Sequence, residues 1–391
     1  MSMIRSQLRQ WHITNKRVFL RADLNVPIAY GTINNDFKLT SMLPTLDFLL
    51  TTNNMVILAT HIGEPDGYDP ELSTQLLIPW FKQRNYLITF AKTPQDAAKQ
   101  PMAPRSIVLL ENLRFFPQEK ATDPFFAKEL AQTAHYFVND AFGTLHRNDC
   151  SITQLPYEFD EHKRTIGFLV EKELQAFDQI MHNPHRPFLA ILGGKKIESK
   201  IPLISGLIEI ADEIIVCPAL CFSFLAAQGY NLGTSLINQT IFAACSHIEH
   251  AAKLHNVDLM FPIDYQVTNT TIDGELSYCS ITEFTNTTMG IAIGPRSVEQ
   301  FSHTIAQAGT IFFNCAMGFS DNPATQKSTC DLLHALASSS AKTIVAGGDT
   351  VAMVFQAGLE HHIDHISTGG GAALAYISNN QLPGLMPFEE S

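Results

Sequence analysis

The stretch from Ile363 to Ile377 constrains the fold more than any other part of the sequence. A short β-branched run is followed by three glycines at 369–371 and then by a helix-forming segment. This order is typical of a strand, a tight turn and a helix N-terminus. Because glycines leave the backbone N–H groups uncovered and the helix dipole adds partial positive charge, we predict a phosphate site at Gly369, Gly370 and Gly371.

A second turn of the same kind lies just upstream. Thr343 to Val354 contains an apolar strand, the pair Gly347 and Gly348, and then Asp349 and Thr350 at the start of a helix. One glycine-rich turn is often only a structural corner. Two such turns close together, one of them with a carboxylate able to bind Mg²⁺, indicate a nucleotide site.

The length of 391 residues exceeds what a single hydrophobic core usually holds, so it favours two domains. The polar, arginine-containing N-terminal segment excludes a secretory signal, and no apolar run reaches the ~20 residues of a membrane-spanning helix. We therefore expect a cytoplasmic protein. The net charge of −12 argues against nucleic-acid and anionic-membrane partners, and the seven scattered cysteines argue against a disulfide framework.

Apolar strand patterns alternate with helical patterns along the chain, which predicts an α/β fold with mostly parallel sheets. In the first half the predicted strands are Arg17–Arg21, Met55–Ala59, Leu87–Phe90, Ile107–Leu110 and Tyr136–Asn139. In the second half they are Phe188–Leu192, Glu213–Cys217, Asp258–Phe261, Gly290–Ile293, Ile311–Asn314, Thr343–Ala346 and Ile363–Ser367. We predict an N-terminal domain over 1–168, a connecting helix over 169–182 and a C-terminal domain over 183–381.

Charged side chains follow successive predicted strands of the first half. The first strand ends in Arg21, Asp23 and Asn25, and the later strands are followed by His61, Arg114 and Arg147. Ligands of open α/β sheets bind beyond the carboxyl ends of the strands. Because arginine forks match carboxylate and phosphate oxygens, we predict a pocket for a small phosphorylated acid.

In the second half, the strand Phe188–Leu192 is followed by Gly193, Gly194 and two lysines at 196 and 200. Two lysines four residues apart are usually a solvated helix face, but after a glycine turn we expect them to contact phosphate. An anion pocket in one domain and a nucleotide pocket in the other suit phosphoryl transfer.

Six segments, in order along nearly the whole chain, resemble the phosphoglycerate kinase family: RVFLRADLNVP (17–27), LLENLRF, VNDAFGTLHR, LGGKK…SK, AGGDTVA and STGGGA…LPG. The resemblance implies a monomer with two Rossmann-like three-layer domains, joined by an interdomain helix and hinge. It implies that the tail 382–391 packs on the N-terminal domain. It also implies reversible phosphoryl transfer between 1,3-bisphosphoglycerate and MgADP, giving 3-phosphoglycerate and MgATP.

The resemblance also implies roles for individual residues. The phosphoglycerate side is formed by Asp23 with Arg21 supporting it, Asn25, Lys38, His61, Ile62, Gly63, Glu64, Arg114 and Arg147. The nucleotide side is formed by Gly193, Gly194, Lys200, Asn314, Asp321, Gly347, Gly348, Asp349 and Thr350, with Asp349 on the Mg²⁺ of the nucleotide. The catalytic groups are Lys38, Lys196 and the N–H groups of Gly369, Gly370 and Gly371.

Several positions depart from the family pattern. Lys38 stands where the family has its catalytic arginine, and Glu64 stands where it has a phosphate-binding arginine. The other departures are Asp149 for a histidine, Cys217-Pro218-Ala219 for three glycines, Cys315-Ala316 for Gly-Pro, and Asp321 for a ribose-binding glutamate.

Three hypotheses follow for the function. The first is a working phosphoglycerate kinase. The second is a degenerate member of the family that keeps the fold and acts as a binding protein. The third, a dehydrogenase, lacks the G-x-G-x-x-G pattern after the first strand that dinucleotide binding requires.

Overall fold

The computed structural model describes residue 4 and residues 8–29, 31–269, 274–378 and 381–390. The chain divides into two compact units, Met1–Gln175 with Gln381–Ser391, and Ala176–Asn380. Residues 1–3, 5–7 and 30 of the predicted N-terminal domain, residues 270–273 and 379–380 of the predicted C-terminal domain, and Ser391 of the predicted tail lie outside the described residues. None of the helices in the described ranges is long and apolar enough to cross a membrane.

The first unit is built on a six-stranded parallel sheet with the strand order β5-β6-β4-β1-β7-β8. Its strands are β1 Arg17–Ala22, β4 Met55–Ala59, β5 Leu87–Ala91, β6 Ser106–Leu110, β7 Tyr136–Asp140 and β8 Arg164–Ile166, and a small hairpin is formed by β2 Ile28–Ala29 and β3 Thr32–Ile33. Its helices are α1 Phe37–Thr51, α2 Ile78–Gln83, α3 Pro94–Lys99, α4 Pro117–Lys120, α5 Pro124–Ala131, α6 Cys150–Thr153 and the first part of α7 Phe168–His182. Strands β4, β5 and β6 lie on one side of β1, and the later strands β7 and β8 lie on the other. Because the strand order reverses at β1, a crevice is expected at its carboxyl end.

The core of the first unit forms because central strands are apolar on both faces. All five residues of β6 are buried, as is expected of a parallel strand covered by helices on both sides. Helix α1 contributes Leu39, Met42 and Leu46 to the cluster that also contains Val18 and Leu58. The strand ends are thereby held on a packed scaffold.

The second unit contains another six-stranded parallel sheet, with the order β11-β10-β9-β15-β16-β17. Its strands are β9 Phe188–Leu192, β10 Glu213–Val216, β11 Asp258–Met260, β12 Tyr265–Thr268, β13 Ser277–Cys279, β14 Met289–Ile293, β15 Thr310–Asn314, β16 Lys342–Val345 and β17 His365–Ile366. Its helices are α8 Ile197–Ile208, α9 Leu220–Ala227, α10 Phe242–Leu254, α11 Pro295–Gln307, α12 Lys327–Ser338, α13 Gly348–Gln356 and α14 Gly370–Ile377. The predicted α/β fold with two mostly parallel sheets is confirmed.

One strand that the sequence predicts for the parallel sheet lies in a different sheet. The predicted strand Gly290–Ile293 corresponds to β14, which pairs antiparallel with β12 in a separate three-stranded sheet that also contains β13. The prediction was wrong here because an apolar run shows that a strand is buried and does not show which strand it pairs with.

Helix α7 begins at Phe168 and has no capping residue in its own sequence. Its cap comes from the end of β7, where Asp140 Oδ1 accepts hydrogen bonds from Leu169 N at 2.9 Å and Val170 N at 3.2 Å. Phe168 N donates to Thr45 Oγ1 at 2.9 Å. The helix start is therefore positioned by the core of the first unit.

The C-terminal segment packs within the first unit. Gly384 N donates to Leu145 O at 2.9 Å, and Arg164 Nε donates to Pro387 O at 2.9 Å. The ring of Phe388 stacks at 6.3 Å from that of Phe137. A Cβ at Gly384 would lie 2.7 Å from Ile152 Cγ2, so this glycine allows the close approach.

Candidate active site

The charged groups predicted at the strand ends of the first unit come together at one edge of the sheet. Asp23 follows β1, His61 follows β4, Arg114 follows β6 and Arg147 follows β7. These four strands are adjacent in the order β6-β4-β1-β7. Since carboxyl ends of parallel strands share an edge, the sheet order alone gathers these groups.

Lys38 forms an ion pair with Asp23. Its Nζ lies 2.6 Å from Asp23 Oδ2, and the Asp23 side chain is 3% exposed. Burial raises the pKa of the Asp23 carboxyl, but Lys38 and His61 outweigh that effect and lower the pKa to about 2. Burial also lowers the pKa of His61 well below its ordinary value, against the attraction of Asp23. Asp23 is therefore ionised and His61 neutral near pH 7.

A loop at residues 61–64 is held to the site by its backbone. Gly63 N donates to Asn25 Oδ1 at 3.0 Å, and Gly63 O accepts from Arg114 Nη1 at 2.7 Å. Gly63 has φ +64°, a conformation that favours glycine. The side chain of Ile62 is buried, so Ile62 contributes packing, with its carbonyl accepting from Asn112 Nδ2 at 2.8 Å.

Glu64 lies among three cations. Its Oε1 is 2.6 Å from Arg114 Nη1 and 3.0 Å from Arg147 Nη1, and its Oε2 is 3.3 Å from Lys120 Nζ. Burial raises the pKa of the Glu64 carboxyl, but Arg147 and Arg114 outweigh that effect and lower it. Asp149 Oδ2 lies 3.6 Å from Arg114 Nη2.

Arg21 is fully buried, and its charge attracts Asp23, the partner that the resemblance implies. Its hydrogen bonds go elsewhere: its Nε donates to Ser151 Oγ at 2.7 Å and its Nη1 donates to Ala22 O at 2.6 Å. Its Nη2 lies 4.0 Å from Glu119 Oε1. Burial raises the pKa of Glu119 to about 6, although Arg21 opposes this shift. Arg21 thus ties β1 to the segment that carries Ser151.

The sequence patterns do not reveal Lys120, Glu119 or Ser151 as parts of this region. Glu119 and Lys120 lie in the short helix α4, where Pro-Gln-Glu-Lys is typical of a solvated surface turn. Their nearness to the end of β6 is the only local signal. Glu119 is nevertheless fully buried, and Ser151 N donates a hydrogen bond to its Oε2 at 3.0 Å.

In the second unit, the glycine turn after β9 is crowded on both sides. Gly193 N donates to Asn314 O at 3.1 Å, and Gly194 N donates to Pro218 O at 2.9 Å. A Cβ at Gly193 would lie 2.5 Å from Cys315 Sγ, and Gly194 has φ +100°. Only glycine fits this turn without a shift of its neighbours.

Lys200 is buried against the end of β15. Its Nζ donates to Asn314 O at 2.8 Å and also contacts Asn314 Oδ1, while Asn314 Nδ2 donates to Ala346 O at 2.7 Å. Burial lowers the pKa of Lys200 to about 8, against the attraction of Cys315 and Asp349. Asn314 therefore joins the lysine to the loop after β16.

The two predicted glycine turns converge. A Cβ at Gly370, the first residue of α14, would lie 3.3 Å from Gly347 Cα and 3.6 Å from Gly348 N. Helix α13 begins at Gly348, so the N-termini of α13 and α14 lie side by side. Their uncovered N–H groups and helix dipoles favour an anionic ligand.

The remaining predicted residues of the second unit fall into exposed and buried groups. Lys196 precedes α8 and is exposed, Asp349 is exposed in the first turn of α13, and Asp321 is exposed in a loop. Thr350 is buried. No group of three or more histidine, cysteine or acidic side chains in the described part of the chain could hold a metal ion by itself.

The departures at 217–219 do not expose a cysteine to a ligand. Cys217 is fully buried in the core cluster that also contains Cys315 and Ile215. Pro218 contributes its carbonyl to the turn at Gly194. The side chain of Cys217 therefore fills core volume, which three glycines would leave empty.

Comparison with known proteins relates the chain to phosphoglycerate kinases. A family model described as phosphoglycerate kinase matches residues 8–380. A phosphoglycerate kinase from Prosthecochloris aestuarii is 38% identical over 389 residues, and the match covers 96% of this chain and 97% of the relative. One from Rubrobacter xylanophilus is 36% identical over 397 residues and covers 99% of both chains. The solved structure of phosphoglycerate kinase from Coxiella burnetii has a TM-score of 0.85 and 30% identity over 99% of both chains.

Proposed function

This chain belongs to the phosphoglycerate kinase family, and we propose from that premise how its residues divide the work of the reaction. Its activity is that of the glycolytic enzyme, reversible phosphoryl transfer between 1,3-bisphosphoglycerate and ADP, giving 3-phosphoglycerate and ATP. Most of the catalysis in such a transfer comes from positioning and from neutralisation of charge. The contacts within each unit support an assignment of these tasks to particular side chains.

The first unit binds the phosphoglycerate. The observation that carries this assignment is the gathering of Asp23, His61, Arg114 and Arg147 at four adjacent strand ends. The guanidinium groups bind the phosphate, since their forks match its oxygens. Ionised Asp23 accepts a hydrogen bond from the substrate hydroxyl, neutral His61 lies beside it, and Asn25 orients the loop at Gly63. Lys38, held by Asp23 at 2.6 Å, supplies positive charge to the transferred group.

The second unit binds the nucleotide. The N–H groups at Gly347, Gly348 and the start of α14 face the phosphates, and their convergence supports this role. Lys200 binds the nucleotide phosphates once its bond to Asn314 is exchanged for them. Gly193 and Gly194, which pack closely against Cys315 and Ala316, form the turn of the nucleotide side that leads from β9 to the two lysines. The exposed Asp321 binds the ribose.

Lys196 stabilises the phosphoryl group in transfer, together with the N–H groups of Gly370 and Gly371 and with that of Gly369, which the ligand takes over from Ser367 Oγ. Lys196 is exposed just before α8, and within the described ranges its ammonium makes no ion pair. It is therefore available to an anionic ligand. Positive charge placed where negative charge spreads over the equatorial oxygens lowers the barrier.

Mg²⁺ reaches the enzyme with the nucleotide. Magnesium usually keeps several waters and binds through one or two carboxylates plus substrate phosphates. A single exposed carboxylate, Asp349, next to two uncovered glycine N–H groups fits that pattern. The ion neutralises phosphate charge when it is bound. We further propose, from family membership alone, a hinge-bending cytoplasmic monomer.

The assay that tests the function is ATP-dependent turnover of 3-phosphoglycerate, coupled to NADH oxidation, with calorimetric titration of MgADP beside it. Turnover that disappears in Lys196→Ala, while MgADP still binds, supports the assignment. MgADP binding without turnover in the native chain would refute it and favour the degenerate binding protein.

A further inference from the structure

The cations around Glu64 are brought together by the fold. Arg114 lies in the short helical turn Leu113–Phe115 after β6, Lys120 ends α4, and Arg147 follows β7. Glu64 itself follows β4. Because the three cations come from three segments, their convergence on one carboxylate is a tertiary feature and not a pairing of neighbours along one helix.

The cluster has more donors than Glu64 uses. The Arg114 side chain is 1% exposed, and in the described chain its Nε has no hydrogen-bond acceptor. Arg147 Nε is also buried without an acceptor among the residues described. A buried donor without a partner is costly. An anion with three terminal oxygens could satisfy more of these donors than a carboxylate with two.

The net charge of the cluster also favours a phosphate. Arg114, Lys120 and Arg147 face the two carboxylates of Glu64 and Asp149, which leaves a single positive charge. Without Glu64 the cluster would carry two positive charges. A phosphate monoester carries about −1.5 to −2 charges near pH 7. Phosphate therefore matches the cluster when Glu64 has left it.

Glu64 is exposed enough to leave the cluster once a phosphate replaces it beside the buried Arg114. Its side chain is 56% exposed, whereas its neighbour in the backbone, Gly63, is held by Asn25 and Arg114. The loop can stay in place while the carboxylate turns to solvent. The ion pair with Lys120, itself 48% exposed, is the kind whose loss costs little.

We propose that Glu64 is an internal anion that occupies the phosphate subsite and is displaced by the phosphate of the substrate, and that Lys120 is the third cation of that subsite. The inference rests on the proposed binding of phosphoglycerate in this unit. Glu64 compensates the buried Arg114 charge while the site is empty. It weakens the binding of every phosphate ligand by the same factor, since each must displace it.

The test is calorimetric titration with 3-phosphoglycerate and with inorganic phosphate at low ionic strength. Glu64→Gln and Glu64→Ala are expected to lower the Kd of both ligands about 5- to 10-fold, the range expected when partly exposed ion pairs no longer compete. Lys128→Gln, in an exposed position of helix α5 in the same unit, is the matched control and should leave both values unchanged.

A double-mutant cycle separates the two roles of Lys120. If Lys120 contacts phosphate, Lys120→Gln raises the Kd about 3- to 10-fold in the Glu64→Gln background. If it only holds Glu64, the same change is neutral there and tightens binding in the native background, which would overturn its assignment. An unchanged or higher Kd in both Glu64 variants would overturn the displacement. Titration with inorganic phosphate measures binding at the subsite without any turnover. Absence of ATP-dependent turnover would therefore count against the proposed function and not against this inference.

Discussion

Replacement of Lys38 by methionine removes the charge that faces a buried carboxylate and keeps most of the side-chain volume. Lys38 Nζ lies 2.6 Å from Asp23 Oδ2, and the lysine side chain is 27% exposed. The pKa of Asp23 is lowered from 3.8 to about 2, although burial alone would raise it. This shift corresponds to about 2 kcal/mol of stability at neutral pH, with Lys38 the largest of the groups that lower the pKa.

The two tryptophans of the chain, Trp11 and Trp80, both lie in the first unit, so their fluorescence reports on the unit that contains the ion pair. In urea unfolding followed by this signal at pH 7, we expect Lys38→Met to lower the free energy of unfolding by about 2 kcal/mol. With a slope of about 2 to 3 kcal/mol per M, the midpoint falls by about 0.7 to 1 M. Lys128→Met is the matched control and should leave the midpoint in place.

The pH dependence has a definite sign. In the native chain the folded pKa of Asp23 is below the unfolded value, so its stabilising contribution is complete above pH 3.8 and is lost as the pH falls through about 2. In Lys38→Met burial dominates, so the variant loses stability as the pH rises through a raised Asp23 pKa. The difference between the two proteins is therefore largest near neutrality and shrinks in acid. Equal midpoints at pH 7, or a difference that does not depend on pH, would refute this reasoning.

Three further predictions concern the reaction. Lys38→Arg should raise kcat about 10- to 100-fold with little change in KM, because a guanidinium holds two oxygens at once; an intact kcat in Lys38→Ala would show that position 38 is not catalytic. The affinity for MgADP should fall as the pH rises through about 8, where buried Lys200 loses its proton, and calorimetry should find no such step in Lys200→Arg. Gly347→Ala should destabilise the second unit by about 1 to 3 kcal/mol and weaken MgADP binding, since φ is +99° and the new Cβ would lie 2.5 Å from Asn314 Nδ2. Gly358→Ala, at φ +66° in open space, is its control, and equal losses in both variants would exclude a role for the contact with Asn314.

Local patterns predict the strands of the parallel sheets well. Met55–Ala59 and Phe188–Leu192 begin and end as predicted, because a buried parallel strand is a continuous apolar run between polar turns. Short strands with mixed patterns, such as Tyr265–Thr268 and Arg164–Ile166, were missed. Their pairing with neighbouring strands stabilises them, and that pairing leaves no pattern within the short segments themselves.

For the site, the sequence predicts which residues take part but not the residues that they contact. The glycine turns and the charged strand ends depend on residue types at fixed places after apolar runs, so the sequence shows them directly. The partners of those residues come from elsewhere in the chain. Arg21 is bound to Ser151, 130 residues away, and Glu64 is bound to Arg147, 83 residues away.

The sequence by itself therefore determined the α/β class, the positions of most parallel strands and the residues that follow them, since backbone preferences and burial patterns act over a few neighbouring residues. Only the tertiary structure decided that β14 pairs antiparallel, that Asp140 caps α7, and that Lys120 joins the cations around Glu64. Each of these contacts joins residues that the sheet order brings together, and no pattern in either segment alone specifies its partner.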